Sequence, residues 1–142
     1  LPICRVIPDT EALVVAYLRA TPTVTALTSR IGTRTPSSVQ GQWARVWLID
    51  EGQTRNSGAL HLVHPLVQID CYGSGNADSA HAEASLLART IREAIIAMPA
   101  ATHTGAVVTA GRAAMRRLPD RELEPARERY IVTCELSLHP TP

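Results

Sequence analysis

The strictest pattern in the chain lies near its end, where Tyr130, Val132, Cys134, Leu136 and Leu138 alternate with Thr133, Glu135, Ser137 and His139. A period of two sends successive side chains to opposite faces, so this stretch predicts a strand with one apolar face. The same alternation marks Leu66 to Tyr72, with Val67, Ile69 and Cys71 on one face and Gln68 and Asp70 on the other. It also marks Trp43 to Ile49, where Ala44, Val46 and Leu48 share a side. These two strands are expected to pair as a hairpin. Asp50 to Ser57 reads as a polar, turn-rich excursion, so the hairpin carries a long loop, and Leu60 to Val63 resumes a strand. Ala106 to Ala110 predicts one further short strand.

The period changes to three and four between Ala80 and Met98. Ala80, Ala84, Leu87, Ala88, Ile91, Ile95 and Met98 form one apolar stripe, with Arg89, Arg92 and Glu93 on the solvent side. Asp78 or Ser79 is a suitable N-cap and Pro99 ends the run. A shorter helix follows Pro8, with Asp9 or Thr10 as cap, Glu11 beside the positive end, and Leu13, Val14, Tyr17 and Leu18 on its buried side. Thr21-Pro22 stops it and starts a brief helical turn whose inner side is Val24, Leu27 and Ile31. Gly32 to Gly41, rich in Thr, Ser and Pro, reads as extended or irregular chain. Each element has a single apolar face to bury. The order therefore predicts an α+β domain over residues 1–142: a mixed or antiparallel β-sheet with one long and one shorter α-helix packed on one face.

Composition narrows the function. Apolar residues at 45% and charged residues at 19% are globular values. A net charge of +1 supplies no global field for DNA or anionic lipid. No apolar run approaches the ~20 residues that cross a bilayer, so no membrane partner is expected. Leu1 to Ile7 lacks the apolar core of a secretory signal, and the expected address is the cytoplasm or a particle assembled there. All 14 basic residues are Arg, and Lys and Phe are absent, which points to a GC-rich genome. Cys71 and Cys134 sit in apolar alternating stretches and are expected as reduced core residues, while Cys4 has no assigned role.

Catalytic signatures are weak. His61 and His64 form an H-x-x-H pair, but Pro65 disfavours the helix that would bring both to one zinc ion, so surface or interface roles are expected. Gly73-x-Gly75 sits between strand and helix, yet Asp78 replaces the third glycine of a dinucleotide loop and would repel phosphate, so a tight turn is the better reading. No nucleophile elbow or phosphate-binding Lys exists. No cofactor or metal is implied. Arg112, Arg116, Arg117, Arg121, Arg127 and Arg129 cluster with Asp120, Glu122, Glu124 and Glu128, a mixture of signs that favours protein contact over a phosphate track.

Taken in order, Asp9-Thr10-Glu11-Ala12-Leu13-Val14, Arg30-Ile31-Gly32-Thr33-Arg34, His64-Pro65-Leu66-Val67-Gln68-Ile69-Asp70-Cys71-Tyr72-Gly73, the Ala-rich helix and Arg129-Tyr130-Ile131-Val132-Thr133-Cys134-Glu135-Leu136 resemble the tail terminator (tail completion) proteins of long-tailed bacteriophages, those of actinobacterial phages in particular. The resemblance spans roughly residues 9–139 and rests on element order and strand texture. It implies a virion protein, assembled in the host cytoplasm, that forms a ring (usually of six copies) on the last ring of the tail tube. The implied partners are further copies of the chain, the tail tube protein, the head-tail connector or neck protein, and genomic DNA passing through the lumen without sequence-specific contact. A closed ring requires two different surfaces that match by rotation. An exposed strand edge, the polar hairpin and the Arg-rich segments can supply them, which makes Arg55, Asn56, His61, Arg112, Arg116, Arg117, Arg121 and Arg127 the candidate interface. The alternatives are a neighbouring connector or stopper, a small enzyme or ligand-binding domain using His61, His64 and Asp70, and a nucleic-acid module using Arg112 to Arg129.

Overall fold

The computed structural model describes residues 9–37, 41–50, 52, 54–57, 60–74, 77–99, 102–103, 106–121 and 127–140. Cys4, Glu122 and Glu124 lie outside them. The chain begins with α1 (Thr10–Arg19), capped by Asp9, whose carboxylate accepts the Glu11 N–H at 3.0 Å and the Ala12 N–H at 3.5 Å. A short α2 (Pro22–Thr25) and a two-residue β1 (Ile31–Gly32) follow. Next come β2 (Trp43–Asp50), β3 (Thr54–Ser57), β4 (Leu60–Val63) and β5 (Leu66–Tyr72). The long α3 (Ala77–Ile96) leads to β6 (Thr102–His103), β7 (Ala106–Arg117) and β8 (Arg129–Pro140).

All eight strands form one mixed sheet. Among the described residues β1 and β2 alone run parallel, and the other pairings are antiparallel. The long β8 is its spine, with β7 along one side and β5, then β4, along the other. The register puts Val67 opposite Cys134, Ile69 opposite Val132 and Val46 opposite Ile69, so the apolar residues of β2, β5 and β8 share a face. That face packs on α3 and α1. The expected α+β architecture, with both helices on one side of a sheet, is the observed one. Every residue of the α3 stripe is buried, with Leu87, Ile91 and Ile95 fully so. Burying one such side chain contributes about 1.5–3 kcal/mol. The Tyr17 hydroxyl donates to the Ala94 carbonyl at 2.6 Å, tying the two helices together.

Three expectations are corrected. The excursion from Asp50 to Ser57 is not one turn-rich loop, because Thr54–Ser57 is strand, paired with β4 from Thr54 opposite Val63 to Ser57 opposite Leu60. What interrupts the hairpin is a local break: Gly52 has φ +75°, and a β-carbon there would lie 1.9 Å from the His64 carbonyl oxygen. Thr54–Ser57 is polar throughout, so no alternation of apolar and polar positions marks it as a strand. The second correction concerns β7, which runs from Ala106 to Arg117 and not merely to Ala110. Ala113 and Met115 are half-buried against the core while Arg112, Ala114 and Arg116 are exposed, so small and charged residues alternate where large apolar ones were sought. Helix α3 also begins one residue before Asp78, placing Asp78 and Ser79 in its first turn, not at its cap. Gly73 allows close approach, since a β-carbon there would lie 2.0 Å from the Ala80 carbonyl oxygen; Gly75 lies outside the described residues.

Candidate functional site

The face of the sheet turned away from the helices carries the chain's polar chemistry. From β2 it displays Trp43, Arg45, Trp47 and Ile49; from β5, Gln68, Asp70 and Tyr72. From β8 it displays Arg129, Ile131, Thr133 and Glu135, and from β7, Arg112, Ala114 and Arg116. No helix covers it. Trp47 is 41% and Ile49 49% exposed, both large apolar groups at a sheet surface.

One end of this face is closed by a buried ion network. Asp70 is fully buried, and its Oδ2 lies 2.8 Å from Arg45 Nη2 and 3.8 Å from Arg129 Nη1. Its other oxygen accepts the Gln68 amide at 2.7 Å. Arg129 Nη1 also lies 3.7 Å from Asp120, whose Oδ2 accepts the Tyr72 hydroxyl at 2.7 Å. The Tyr72 ring stacks on Trp43 with centroids 3.9 Å apart and planes inclined by 11°. Burial, followed by the hydrogen bond to Asp120, raises the Tyr72 hydroxyl pKa and keeps it protonated into strongly basic solution. The network joins β2, β5, β8 and the β7–β8 connection, where Asp120 and Arg127 pair through backbone bonds of 2.8 and 2.9 Å. Its members were individually visible as residues, but only the register brings Arg45 opposite Asp70 and Tyr72 opposite Arg129.

The predicted interface residues separate into three groups. Arg55, Asn56 and His61 meet in the β3–β4 hairpin, with Asn56 paired to His61 and Arg55 to Leu62; their side chains lie outside the description. Arg112 and Arg116 are exposed on β7, Arg121 is exposed in the following connection, and Arg117 pairs with Glu128 through Nε at 3.2 Å and Nη2 at 3.0 Å. Arg112, Arg116 and Arg117 are thus carried on strand β7, and Arg121 on the connection that follows it. Arg127 departs from them. It is 4% exposed, so the isolated chain withholds it from that surface, and its guanidinium has no acceptor among the described residues.

The sets weighed for catalysis stay apart. His64 is exposed and hydrogen-bonds Ser137 Oγ at 2.9 Å. Asp70 lies six residues further along the strand, about 20 Å away at ~3.3 Å per residue, and is committed to arginines. Cys71 and Cys134 are free and buried. Burial raises both thiol pKa values, that of Cys134 to about 12, the reverse of what a nucleophile needs. Among the described residues no group of three or more His, Cys, Asp or Glu is placed to hold a metal, and no helix is long and apolar enough to cross a membrane.

The margins of the sheet were the part sequence reasoning left unresolved, and they differ. On β2, the Ala44 N–H donates to Arg30 beside β1, and the Leu48 N–H donates to the Glu11 carboxylate at 2.7 Å. That edge is covered. On β7, β6 pairs only with Ala106 and Val107. Beyond them no described strand lies alongside, and none of residues 109–117 is buried. Grooves of about 570 Å³ (lined by His64, Leu66, Arg112 and Glu135 among others) and about 270 Å³ run beside β7 on the helix-free face.

No family model matches this sequence, and no curated protein matches it. Among solved structures, the chain is similar to a chain of the virion of a native gene transfer agent particle. The TM-score is 0.62 at 14% identity, over 92% of this chain and 94% of that one. At that identity the likeness is one of fold, and it extends over nearly the whole of both chains.

Proposed function

We propose that this chain is a structural protein of a phage-like virion, and that it forms a ring at the head-proximal end of a tail tube, ending tube growth and joining the tail to the neck. The observation carrying this reading is the near full-length match to a chain of a gene transfer agent virion. The element order that resembles tail terminators supports that position within the particle. The distribution of chemistry supports a role in assembly: the buried carboxylates Asp70 and Asp120 are paired with arginines, while Arg112, Arg116, Trp47 and Ile49 are exposed on the sheet. In this reading the ring's members are copies of this chain, and its neighbours are the tube and neck proteins. DNA crosses the lumen without being read.

Purified chain, viewed by negative-stain electron microscopy and weighed by native mass spectrometry, is expected to form closed rings that bind the end of preformed tail tube and block further tube addition. Rings that bind neck protein but ignore the tube would identify a connector instead. A strictly monomeric species indifferent to both defeats the assembly reading.

A further inference from the structure

The hydrogen-bond pattern of β7 and β8 fixes which backbone groups the open margin presents. Leu118 N–H donates to Arg129 at 2.9 Å, and Asp120 and Arg127 exchange both bonds. In an antiparallel ladder, bonded and non-bonded pairs alternate. Counting back through the register, Arg116, Ala114 and Arg112 therefore bond to Ile131, Thr133 and Glu135. The N–H and C=O groups of Gly111, Ala113, Met115 and Arg117 point outward from the sheet. The Leu136 N–H, donating to Pro65 on the opposite side of β8 at 3.1 Å, agrees with this parity. A bare edge of this length is a template for another strand.

The other bare edge longer than two residues, among the described strands, is the outer side of β3. Val63 pairs with Leu138, an even-numbered β8 residue that faces β4, so Val63 bonds to β8. Thr54, opposite Val63, and Asn56 then point their backbone groups away from β4. Strands β3, β4, β8 and β7 are successively antiparallel, which leaves β3 and β7 running in opposite directions at opposite margins. Two copies placed side by side in the same orientation thus bring β3 of one antiparallel to β7 of the next. A head-to-tail contact of this kind forms a ring when the rotation from copy to copy closes, and an open filament when it does not. Self-pairing of two β7 edges is opposed by charge in the register centred on Ala114, which would set Arg112 of each copy opposite Arg116 of the other; a β7–β7 dimer in a neighbouring register would appear in the test below as a species that Asn56→Pro leaves intact.

We infer that the open edge of β7 around Ala113 is the acceptor for the outer edge of β3, around Asn56, from a second copy of this chain, so that the sheet continues from subunit to subunit. This inference rests on the ring reading above and names its interface.

Proline substitution tests it, because each proline removes one outward N–H while leaving the bonds within the chain intact, and edge strands tolerate proline. Ala113→Pro blocks the acceptor and Asn56→Pro blocks the donor. Each variant alone is expected to keep the wild-type circular dichroism spectrum and lose the ring, sedimenting as a monomer. Mixed together they are expected to form a heterodimer, since each retains the surface the other lacks. Rings that persist with Ala113→Pro overturn the interface while leaving the ring reading in place, and a wild type that never assembles removes both. Loss of rings with Ala113→Pro but not with Asn56→Pro, or no heterodimer on mixing, rejects β3 as the occupant. Amide exchange in the wild-type ring supplies a readout if a variant fails to fold. The N–H groups of Ala113 and Met115 should exchange slowly in the ring, and fast exchange at both refutes the pairing.

Discussion

Asp70 shows how a single side chain can tie three strands together through charge pairing. It is fully buried between Arg45 and Arg129, whose side chains are 26% and 15% exposed. Removing one partner of a buried pair is costly because the remaining charges lose their compensation. Asp70→Ala is therefore expected to destabilise the domain by about 3–5 kcal/mol, measured by urea unfolding. A loss below about 1 kcal/mol, the range of an exposed pair, would mean the network is solvated and does not hold β2, β5 and β8 together. The sequence placed Asp70 on the polar side of its strand, but it offered no sign that two arginines, 25 residues before and 59 after it, would meet it there. Arg127 teaches the converse, since its charge pattern read as surface and the backbone pairing with Asp120 carries it inward.

At the scale of elements, legibility followed burial. The α3 stripe was readable to the residue because a helix with one core-facing side must repeat its apolar positions every three or four residues. Ile91→Ala is expected to cost about 2–5 kcal/mol through the cavity it leaves; a thermal midpoint that barely moves would place the residue outside the core. Strands β2, β5 and β8 were equally readable, as each has one face against the helices. Strand β3 and the second half of β7 were not. β3 is polar throughout, and β7 turns small residues inward at Gly111 and Ala113, where α3 comes so close that the Ile95 carbonyl oxygen lies 3.0 Å from a β-carbon built on Gly111. Close packing of helix on sheet selects small residues, and small residues erase the alternation by which a strand is recognised.

The molecule as a whole should show its burial in its response to pH. Cys134 ionises near 9 when exposed and is pushed up to about 12 by burial; Cys71 and Tyr72 are raised mainly by the same cause. A group whose folded pKa is raised holds its proton more tightly in the native state. Its contribution is complete below the unfolded pKa and is lost as pH rises toward the folded one. Stability is thus expected to be unaffected by these groups at neutral pH and to fall from about pH 9 upward, by at most about 1.4 kcal/mol per pH unit for each group. Cys134→Val should make that decline shallower. Urea midpoints unchanged between about pH 8 and about pH 11 would contradict the burial of the thiols.

Alternation and helical period, set by which residues repel water, were enough to determine the strands of the core, both main helices and their placement on one side of a sheet. They determined that the chain carries no ready-made catalytic motif and that its arginines mix with acids. What the tertiary structure alone decided was adjacency across the sheet: which charges meet in the buried network, and which margin is covered by β1 and Glu11 while β7 has no described strand beside it beyond Val107. The physical reason is that periodicity is a property of one strand, whereas an edge or an ion pair is defined by what lies beside it, and that neighbour comes from a distant part of the chain.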